Sequence, residues 1–169
     1  MPMARRGAAA PEPWAGILRP EFGSSRMPDI SRRPLILLVE DYDDAREMYR
    51  DYLEYAGFQV ETARDGHEAL TKARASNPDL VLMDLSMPGL DGWEATRLLK
   101  TDPATSHLTV VALSAHALAA EGDRAKRAGC DGFIAKPCLP HELVEQMAAY
   151  LRVETEPAQR KRRARGRRS

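Results

Sequence analysis

Short apolar runs alternate with helical patterns along the middle of the chain. The most continuous of these runs are typical of strands that are buried on both faces of a sheet. The pattern predicts strands over 34–40, 58–63, 79–85, 108–115 and 132–135, and helices over 44–56, 65–77, 92–100, 118–128 and 140–153. Strands that alternate with helices in this way indicate an α/β fold, with a parallel sheet covered by helices on both faces.

Local signals refine the ends and faces of these elements. Asp43 or Asp44 is the predicted N-cap of the first helix, and Gly57 ends that helix in the left-handed conformation. The second strand alternates between apolar and polar residues, which suits the edge of a sheet. The apolar stripe of the first helix is predicted at Ala45, Met48, Tyr52, Leu53 and Ala56, and that of the last helix at Leu143, Val144, Met147 and Leu151.

Length and composition favour one globular domain without a membrane span. The 169 residues are 43% hydrophobic, and the longest apolar runs of about five residues are far short of the roughly 20 needed to cross a bilayer. Pro11, Glu12 and Pro13 interrupt the only apolar stretch near the start, so no secretory signal is predicted and we expect a cytoplasmic protein. Cys130 and Cys138 are predicted to be reduced thiols.

Charge is distributed unevenly along the chain. Residues 35–153 carry 20 Asp and Glu against 12 Lys and Arg, a net of −8, so the flanking residues sum to +8 in a chain of zero net charge. The flanks lack apolar periodicity, which predicts a folded domain over 34–153 between disordered segments over 1–33 and 154–169. Met27 is an alternative start of the chain, so translation of residues 1–26 stays open.

Polar residues follow the predicted strands at their carboxyl ends. Glu40 and Asp41 follow the first strand, Asp84 ends the third, Ser114 ends the fourth and Lys136 follows the fifth. The carboxyl ends of parallel strands share one edge of a sheet, so these side chains are expected to meet there. Three converging carboxylates need a compensating cation, and oxygen ligands without nearby Cys or His favour Mg²⁺ over zinc.

This set of residues resembles the receiver domains of two-component response regulators of the CheY-like type. The resemblance rests on Glu40, Asp41, Asp84, Ser114 and Lys136, together with Pro137 after the lysine and the segment MDLSMPGLDGWE. It implies a flavodoxin-like, doubly wound sheet of five strands in the order 2-1-3-4-5. Only about 16 residues follow the last helix, so we expect a stand-alone receiver that acts through protein–protein interaction.

The resemblance also implies a role for each residue of the site. Asp84 would accept a phosphoryl group from a histidine kinase or a histidine phosphotransfer protein, while Lys136 would pair with Asp84 and then with a phosphoryl oxygen. The ligands of Mg²⁺ or Mn²⁺ would be Glu40, Asp41, Asp84 and the backbone carbonyl of Ser86. The protein would then be a signalling phosphoacceptor and not an enzyme acting on external substrates.

A second group of residues would report the phosphorylated state. The Ser114 hydroxyl would bind a phosphoryl oxygen and Phe133 would turn inward, which would change the face formed by helix four, strand five and helix five. An unknown output protein would bind that face. The resemblance further implies a cis peptide bond between Lys136 and Pro137, and His116, two residues past Ser114, is a candidate for tuning the lifetime of the phosphate.

Other functions remain open from the sequence alone. An aspartyl-phosphate phosphohydrolase similar to the haloacid dehalogenases would need a second Asp two residues past Asp84, where this chain has Ser86. A third alternative is a binding module that works without phosphorylation.

The basic segment over 160–168 contains seven Lys and Arg, which suit binding to nucleic acid, binding to an anionic membrane surface or a solvated tail. Because no aromatic residues are interleaved with them, specific DNA binding is not expected. We expect a monomer or weak dimer.

Overall fold

The computed structural model describes residues 33–115 and 119–153, which form a sheet of five strands flanked by five helices. The strands are β1 (Leu35–Val39), β2 (Gln59–Ala63), β3 (Leu80–Asp84), β4 (Val110–Ser114) and β5 (Gly132–Ala135). The helices are α1 (Asp43–Tyr55), α2 (Gly66–Ser76), α3 (Gly92–Thr101), α4 (Ala119–Ala128) and α5 (Pro140–Val153). The predicted alternation of strands and helices is confirmed.

The strands are all parallel and lie in the order β2-β1-β3-β4-β5. β1 lies between β2 and β3, so that Leu37 is aligned with Glu61 on one side and with Val81 on the other. This arrangement confirms the predicted doubly wound fold. It also places the carboxyl ends of β1 and β3 side by side, at the point where the direction of strand succession reverses.

The sheet separates two hydrophobic cores. Side chains alternate along each central strand, so Ile36 and Leu38 face one core while Leu37 and Val39 face the other. We call the first the α1–α5 core, which contains Tyr49, Leu53, Leu143, Val144 and Met147 from those helices. We call the second the α2–α3 core, which contains Ala69, Ala73, Ala95 and Leu99. Both faces of β1, β3 and β4 are therefore buried, which explains their continuous apolar sequences.

The apolar face of α1 differs from the predicted one. Leu53 and Ala56 are buried as expected, but Met48 is 46% exposed and Tyr49 is only 5% exposed. The helix is turned so that the Tyr49 hydroxyl lies against the α1–α5 core and donates to the backbone oxygen of Cys138 at 3.4 Å. Tyr49, whose polar hydroxyl finds a hydrogen-bond partner, is thus buried in place of Met48, which helical spacing predicted to be buried.

The start of α1 also corrects a prediction. The N-cap is Tyr42, which makes no side-chain capping hydrogen bond, whereas Asp43 and Asp44 lie in the first turn. The backbone NH of Arg46 donates to the Tyr42 carbonyl oxygen at 2.9 Å, so helical bonding begins at Tyr42. Carboxylates within the first turn still interact favourably with the helix dipole. By contrast, Asp65 caps α2 by accepting from the backbone NH of Glu68 at 2.8 Å.

The flanking segments fall mostly outside the described residues. The predicted disorder over 1–33 and 154–169 concerns residues that, apart from Arg33, the structure does not describe. The same is true of His116. None of the helices in 33–115 and 119–153 is long and apolar enough to cross a membrane.

Candidate functional site

Three carboxylates meet at the carboxyl edge of β1 and β3. Glu40 and Asp41 directly follow β1, and Asp84 is the last residue of β3. One carboxylate oxygen from each lies within 4.8 Å of the others. Glu40 is 2% exposed and Asp84 is 4% exposed, while Asp41 is half-buried. The expected convergence of these residues is therefore present.

Lys136 supplies the positive charge beside this cluster. Its Nζ donates to Oε2 of Glu40 in a very short hydrogen bond and lies 3.4 Å from Oδ2 of Asp84. Burial acts to lower the pKa of Lys136, but the hydrogen bond to Glu40 and the charges of both carboxylates outweigh it, so the pKa is raised. The lysine is thus held in its charged form. The pairing with Asp84 that the resemblance implied is present at 3.4 Å, but Glu40 is the closer partner.

Burial and Lys136 act on Glu40 in opposite directions. Burial raises the pKa of Glu40, and the hydrogen bond and charge of Lys136 oppose that rise only in part. A carboxylate that is removed from water is stabilised by a charged hydrogen-bond donor. The Lys136–Glu40 bond therefore compensates the most deeply buried charge of the cluster and leaves Asp84 with the longer contact.

Backbone hydrogen bonds fix the lysine and the end of β3. The backbone NH of Lys136 donates to the Ser114 carbonyl oxygen at 2.6 Å, and the peptide bond from Lys136 to Pro137 is cis, as expected. On β3, the backbone NH of Ser86 donates to Oδ1 of Asp84 at 2.9 Å. One oxygen of the Asp84 carboxylate is thereby held by the loop after its own strand.

Two residues that sequence reasoning missed also shape the site. The Arg46 guanidinium donates to the backbone oxygens of Glu40 at 2.9 Å and Asp41 at 3.4 Å, so it fastens the loop between β1 and α1. Gly92 opens α3 so close to β3 that a Cβ there would lie 2.0 Å from the backbone oxygen of Asp84. Neither contact has a sequence signal, because each depends on how a helix packs against the sheet. The segment MDLSMPGLDGWE contains Gly92, but the sequence predicted no role for it.

Ser114 and Phe133 lie on neighbouring strands next to the cluster. Ser114 ends β4, is 2% exposed and is aligned with Ala135 of β5. Phe133 lies two positions earlier on β5, is half-buried and packs against the α2–α3 core. The structure therefore brings Ser114 to the same edge of the sheet as the carboxylates. Phe133 lies one step further from that edge, on the face of the sheet that α3 and α4 cover.

A five-stranded parallel sheet in the order 2-1-3-4-5, with a polar site at its switch point, defines the flavodoxin-like class of α/β proteins. Within that class, the chain belongs to the response regulator receiver domain family, whose model matches residues 36–148. Receiver domains are components of two-component signalling, so the family assignment confirms the resemblance seen in the sequence.

Curated relatives and solved structures agree with this assignment. The chain is 35% identical over 116 residues to the polar-differentiation response regulator DivK of Brucella ovis, covering 69% of this chain and 94% of the relative. It superposes with a TM-score of 0.68 on the chemotaxis protein CheY4 of Vibrio cholerae, at 28% identity, covering 70% of this chain and 99% of that one.

A further solved structure bears on the acidic cluster. The receiver domain of the sensor histidine kinase PA1611 from Pseudomonas aeruginosa has a TM-score of 0.65 and 30% identity, covering 71% of this chain and 98% of that one. That structure has a magnesium ion coordinated in its active-site cleft. The three carboxylates of the present chain offer only oxygen donors at close range, which suits the same hard cation.

Proposed function

We propose that the protein accepts a phosphoryl group on Asp84 from a histidine kinase or a histidine phosphotransfer protein. The observation that carries this proposal is the convergence of Asp84 with Glu40, Asp41 and Lys136 at one sheet edge. A carboxylate can act as a nucleophile on phosphorus when nearby positive charge offsets the charge of the transferring group. Membership of the receiver family supports this chemistry over other uses of an acidic cluster.

The reaction is proposed to depend on Mg²⁺ or Mn²⁺. Glu40, Asp41 and Asp84, with the backbone carbonyl of Ser86, would hold the ion through oxygen atoms. When bound, the ion neutralises charge on the phosphoryl oxygens and on the carboxylates. The fit rests on the close approach of three carboxylates, two of them almost fully buried, beside the charged Lys136.

The protein's own residues would then carry the transfer. An oxygen of Asp84 attacks phosphorus as the bond from phosphorus to the donor's imidazole nitrogen breaks, giving an acyl phosphate on the aspartate. Lys136 moves its interaction toward a phosphoryl oxygen, while the bond from the Ser86 backbone NH to Oδ1 of Asp84 keeps the attacking carboxylate oriented. Positioning and charge compensation supply most of the rate, because the loose transition state needs little covalent help.

The phosphorylated state is proposed to be read through Ser114 and Phe133. The Ser114 hydroxyl would bond to a phosphoryl oxygen, and Phe133 would follow by turning further inward. The surface formed by α4, β5 and α5 would change in consequence and bind an output protein that favours that state. Phe133 lacks a hydroxyl, so its own contact with a partner would be apolar.

The boundaries and the setting of the domain are also proposals. We take 34–153 as the receiver domain, with 1–33 and 154–169 as segments beside it, in a cytoplasmic protein that is a monomer or weak dimer. His116 is proposed to tune the lifetime of the phosphate. An unchanged half-life of the adduct in His116→Ala would remove that role.

Incubation with acetyl phosphate and Mg²⁺ tests the central proposal. We expect one labile adduct on the intact chain by mass spectrometry, lost in Asp84→Asn and retained in Asp43→Asn, whose side chain is 78% exposed at the start of α1. Chelation of the metal, or Asp41→Asn, should slow formation of the adduct. Continuous hydrolysis of unrelated phosphate esters would favour the phosphohydrolase, and complete absence of an adduct would favour the phosphorylation-independent module.

A further inference from the structure

The outward face of α1 exposes large apolar side chains. In the part of the chain that the structure describes, four large hydrophobic residues are markedly exposed, and three of them lie on α1 or at its N-cap. Tyr42 is 62% exposed, Met48 is 46% exposed and Tyr55 is 75% exposed. A short helix that presents two tyrosines and a methionine to solvent has a surface suited to covering by another segment.

Carboxylates run along the same outward face. All five acidic residues of α1 are exposed, and at 3.6 residues per turn they fall within an arc of about 100°. With two arginines, the helix has a net charge of −3, and its last turn has no basic residue. The acidic residues are Asp43, Asp44, Glu47, Asp51 and Glu54.

Ion pairs within the helix offset only part of this negative charge, because Arg46 pairs with Asp43 and Arg50 pairs with Asp51 at 2.8 Å. Asp43 and Glu47, like Glu47 and Asp51, are spaced by four residues, and such like-charge pairs each cost a few tenths of a kcal/mol. Glu54 lies in the last turn, where a negative charge opposes the helix dipole. A cationic segment laid along α1 would relieve both effects.

The chain itself contains a cationic segment that follows α5 in the sequence. α5 packs beside α1, and because both helices follow strands of one parallel sheet they run in the same direction. α5 therefore ends near the end of α1, at Val153. Seven Lys and Arg follow in residues 160–168.

Chain length permits contact between the two. The seven residues from Val153 to the first arginine of the segment can span up to about 25 Å, and α1 is only about 20 Å long. Residues 160–168, if extended, would cover about 30 Å, enough for the whole helix. The charges are opposite, and arginine also stacks favourably on exposed tyrosine rings.

We propose that residues 160–168 of the same chain bind along the outward face of α1. The arginines pair with Glu47 and Glu54, and with Asp51 in competition with Arg50, which lies 2.8 Å from it. Their guanidinium groups cover the ring of Tyr55. This contact is a property of the unphosphorylated chain, so it stands or falls independently of phosphoryl transfer to Asp84.

Zero-length carbodiimide cross-linking of the full chain tests the contact. Lys161 is the only lysine in residues 154–169, so an amide between Lys161 and a carboxylate of α1 reports the contact directly. We expect mass spectrometry to find this link within single chains in a mixture of ¹⁴N and ¹⁵N protein. Its yield should fall about tenfold between roughly 0.02 M and 0.5 M salt, because the Debye length shortens from tens of Å to a few Å.

A pair of charge-reversed variants supplies the control. Glu47→Lys with Glu54→Lys changes the net charge of α1 from −3 to +1, and we expect about a tenfold loss of cross-links from Lys161 to Asp51. Glu94→Lys with Asp123→Lys makes the same change in charge on α3 and α4, across the sheet, and should leave the yield unaltered. Circular dichroism checks that both variants fold, and the salt dependence of the native chain tests the contact without any variant.

Several results would overturn the proposal. Links from Lys161 that spread equally over carboxylates of α1 and α4, or that persist in the Glu47→Lys, Glu54→Lys variant, would mean that the segment has no preferred site. Links found only between ¹⁴N and ¹⁵N chains would assign it to a second copy. Absence of the α1 link, together with binding of a DNA duplex that is lost on replacing 160–168 by glutamines, would assign it to nucleic acid.

Discussion

Replacing Lys136 by methionine should cost more stability than any other loss of a single charged side chain at the site. The Lys136 side chain is 18% exposed and lies beside Glu40 and Asp84, whose side chains alone are 3% and 6% exposed. Removing one partner of a buried ion pair costs about 3–5 kcal/mol, because the remaining charge stays out of water without compensation. Methionine keeps most of the volume of the stem, so the loss is chiefly electrostatic.

Urea denaturation followed by circular dichroism measures this loss. At neutral pH with a chelator present, we expect the free energy of unfolding to fall by about 3–5 kcal/mol. With a slope of about 1–3 kcal/mol per molar urea, the midpoint then falls by about 1–5 M. Adding Glu40→Gln to Lys136→Met should recover much of the loss, because the neutral amide costs less to bury than the carboxylate.

A second lysine provides a matched control. Lys100 is 19% exposed, like Lys136, but its partner Asp131, at 2.6 Å, is 42% exposed. Lys100 also donates to the backbone oxygen of Leu108 at 2.6 Å, so Lys100→Met should cost about 1–2 kcal/mol, less than Lys136→Met. Equal losses in Lys100→Met and Lys136→Met, or no recovery with Glu40→Gln, would refute the view that uncompensated burial of the carboxylates sets the cost.

Three further variants test other parts of the structure. Gly92→Ala should lower the free energy of unfolding by about 1–3 kcal/mol and slow adduct formation at Asp84, since the new Cβ would meet the Asp84 backbone oxygen; denaturation and acetyl phosphate assays check both. Tyr42→Ser should raise stability by about 0.5–2 kcal/mol in denaturation, because the present N-cap makes no side-chain bond; an unchanged midpoint would contradict this. The hydrogen bonds from the Lys72 side chain and the Arg64 backbone lower the pKa of Glu68 from 4.5 to about 2. The ionised Glu68 therefore stabilises the fold above pH 4.5, and this stabilisation is lost as the pH falls toward 2. Glu68→Gln should flatten the dependence of the unfolding free energy on pH over that interval, and identical profiles for the two proteins would count against this linkage.

The fold was largely predictable because its signals are local. Apolar runs of four or five residues, separated by helical periodicity, specify strands that must be buried on both faces, and β5 and α5 have the predicted bounds. The choice between Met48 and Tyr49 was not predictable in the same way. Both suit a helix, and only the packing of α1 against the sheet and against the segment that carries Cys138 decides which of them is buried.

The candidate site shows the same division between local and tertiary information. The residues at the strand ends could be identified because parallel strands bring their carboxyl ends to one edge. The closer approach of Lys136 to Glu40 than to Asp84 depends on how the ends of three strands are placed relative to one another, which a sequence does not encode locally. The bonds from Arg46 to the loop backbone and the contact of Gly92 with Asp84 likewise arise only when helices dock on the sheet.

The separation of the interior into two cores has a consequence for how the protein can change. Phe133 packs with the α2–α3 core, whereas Tyr49 and the buried face of α5 belong to the α1–α5 core on the other side of the sheet. The sheet acts as a partition, since its backbone is fixed by parallel pairing on every strand. The proposed movement of Phe133 would thus repack the α2–α3 core and the surface over α4 and β5, while α5 keeps its packing against α1 and forms a fixed part of the face proposed to bind a partner.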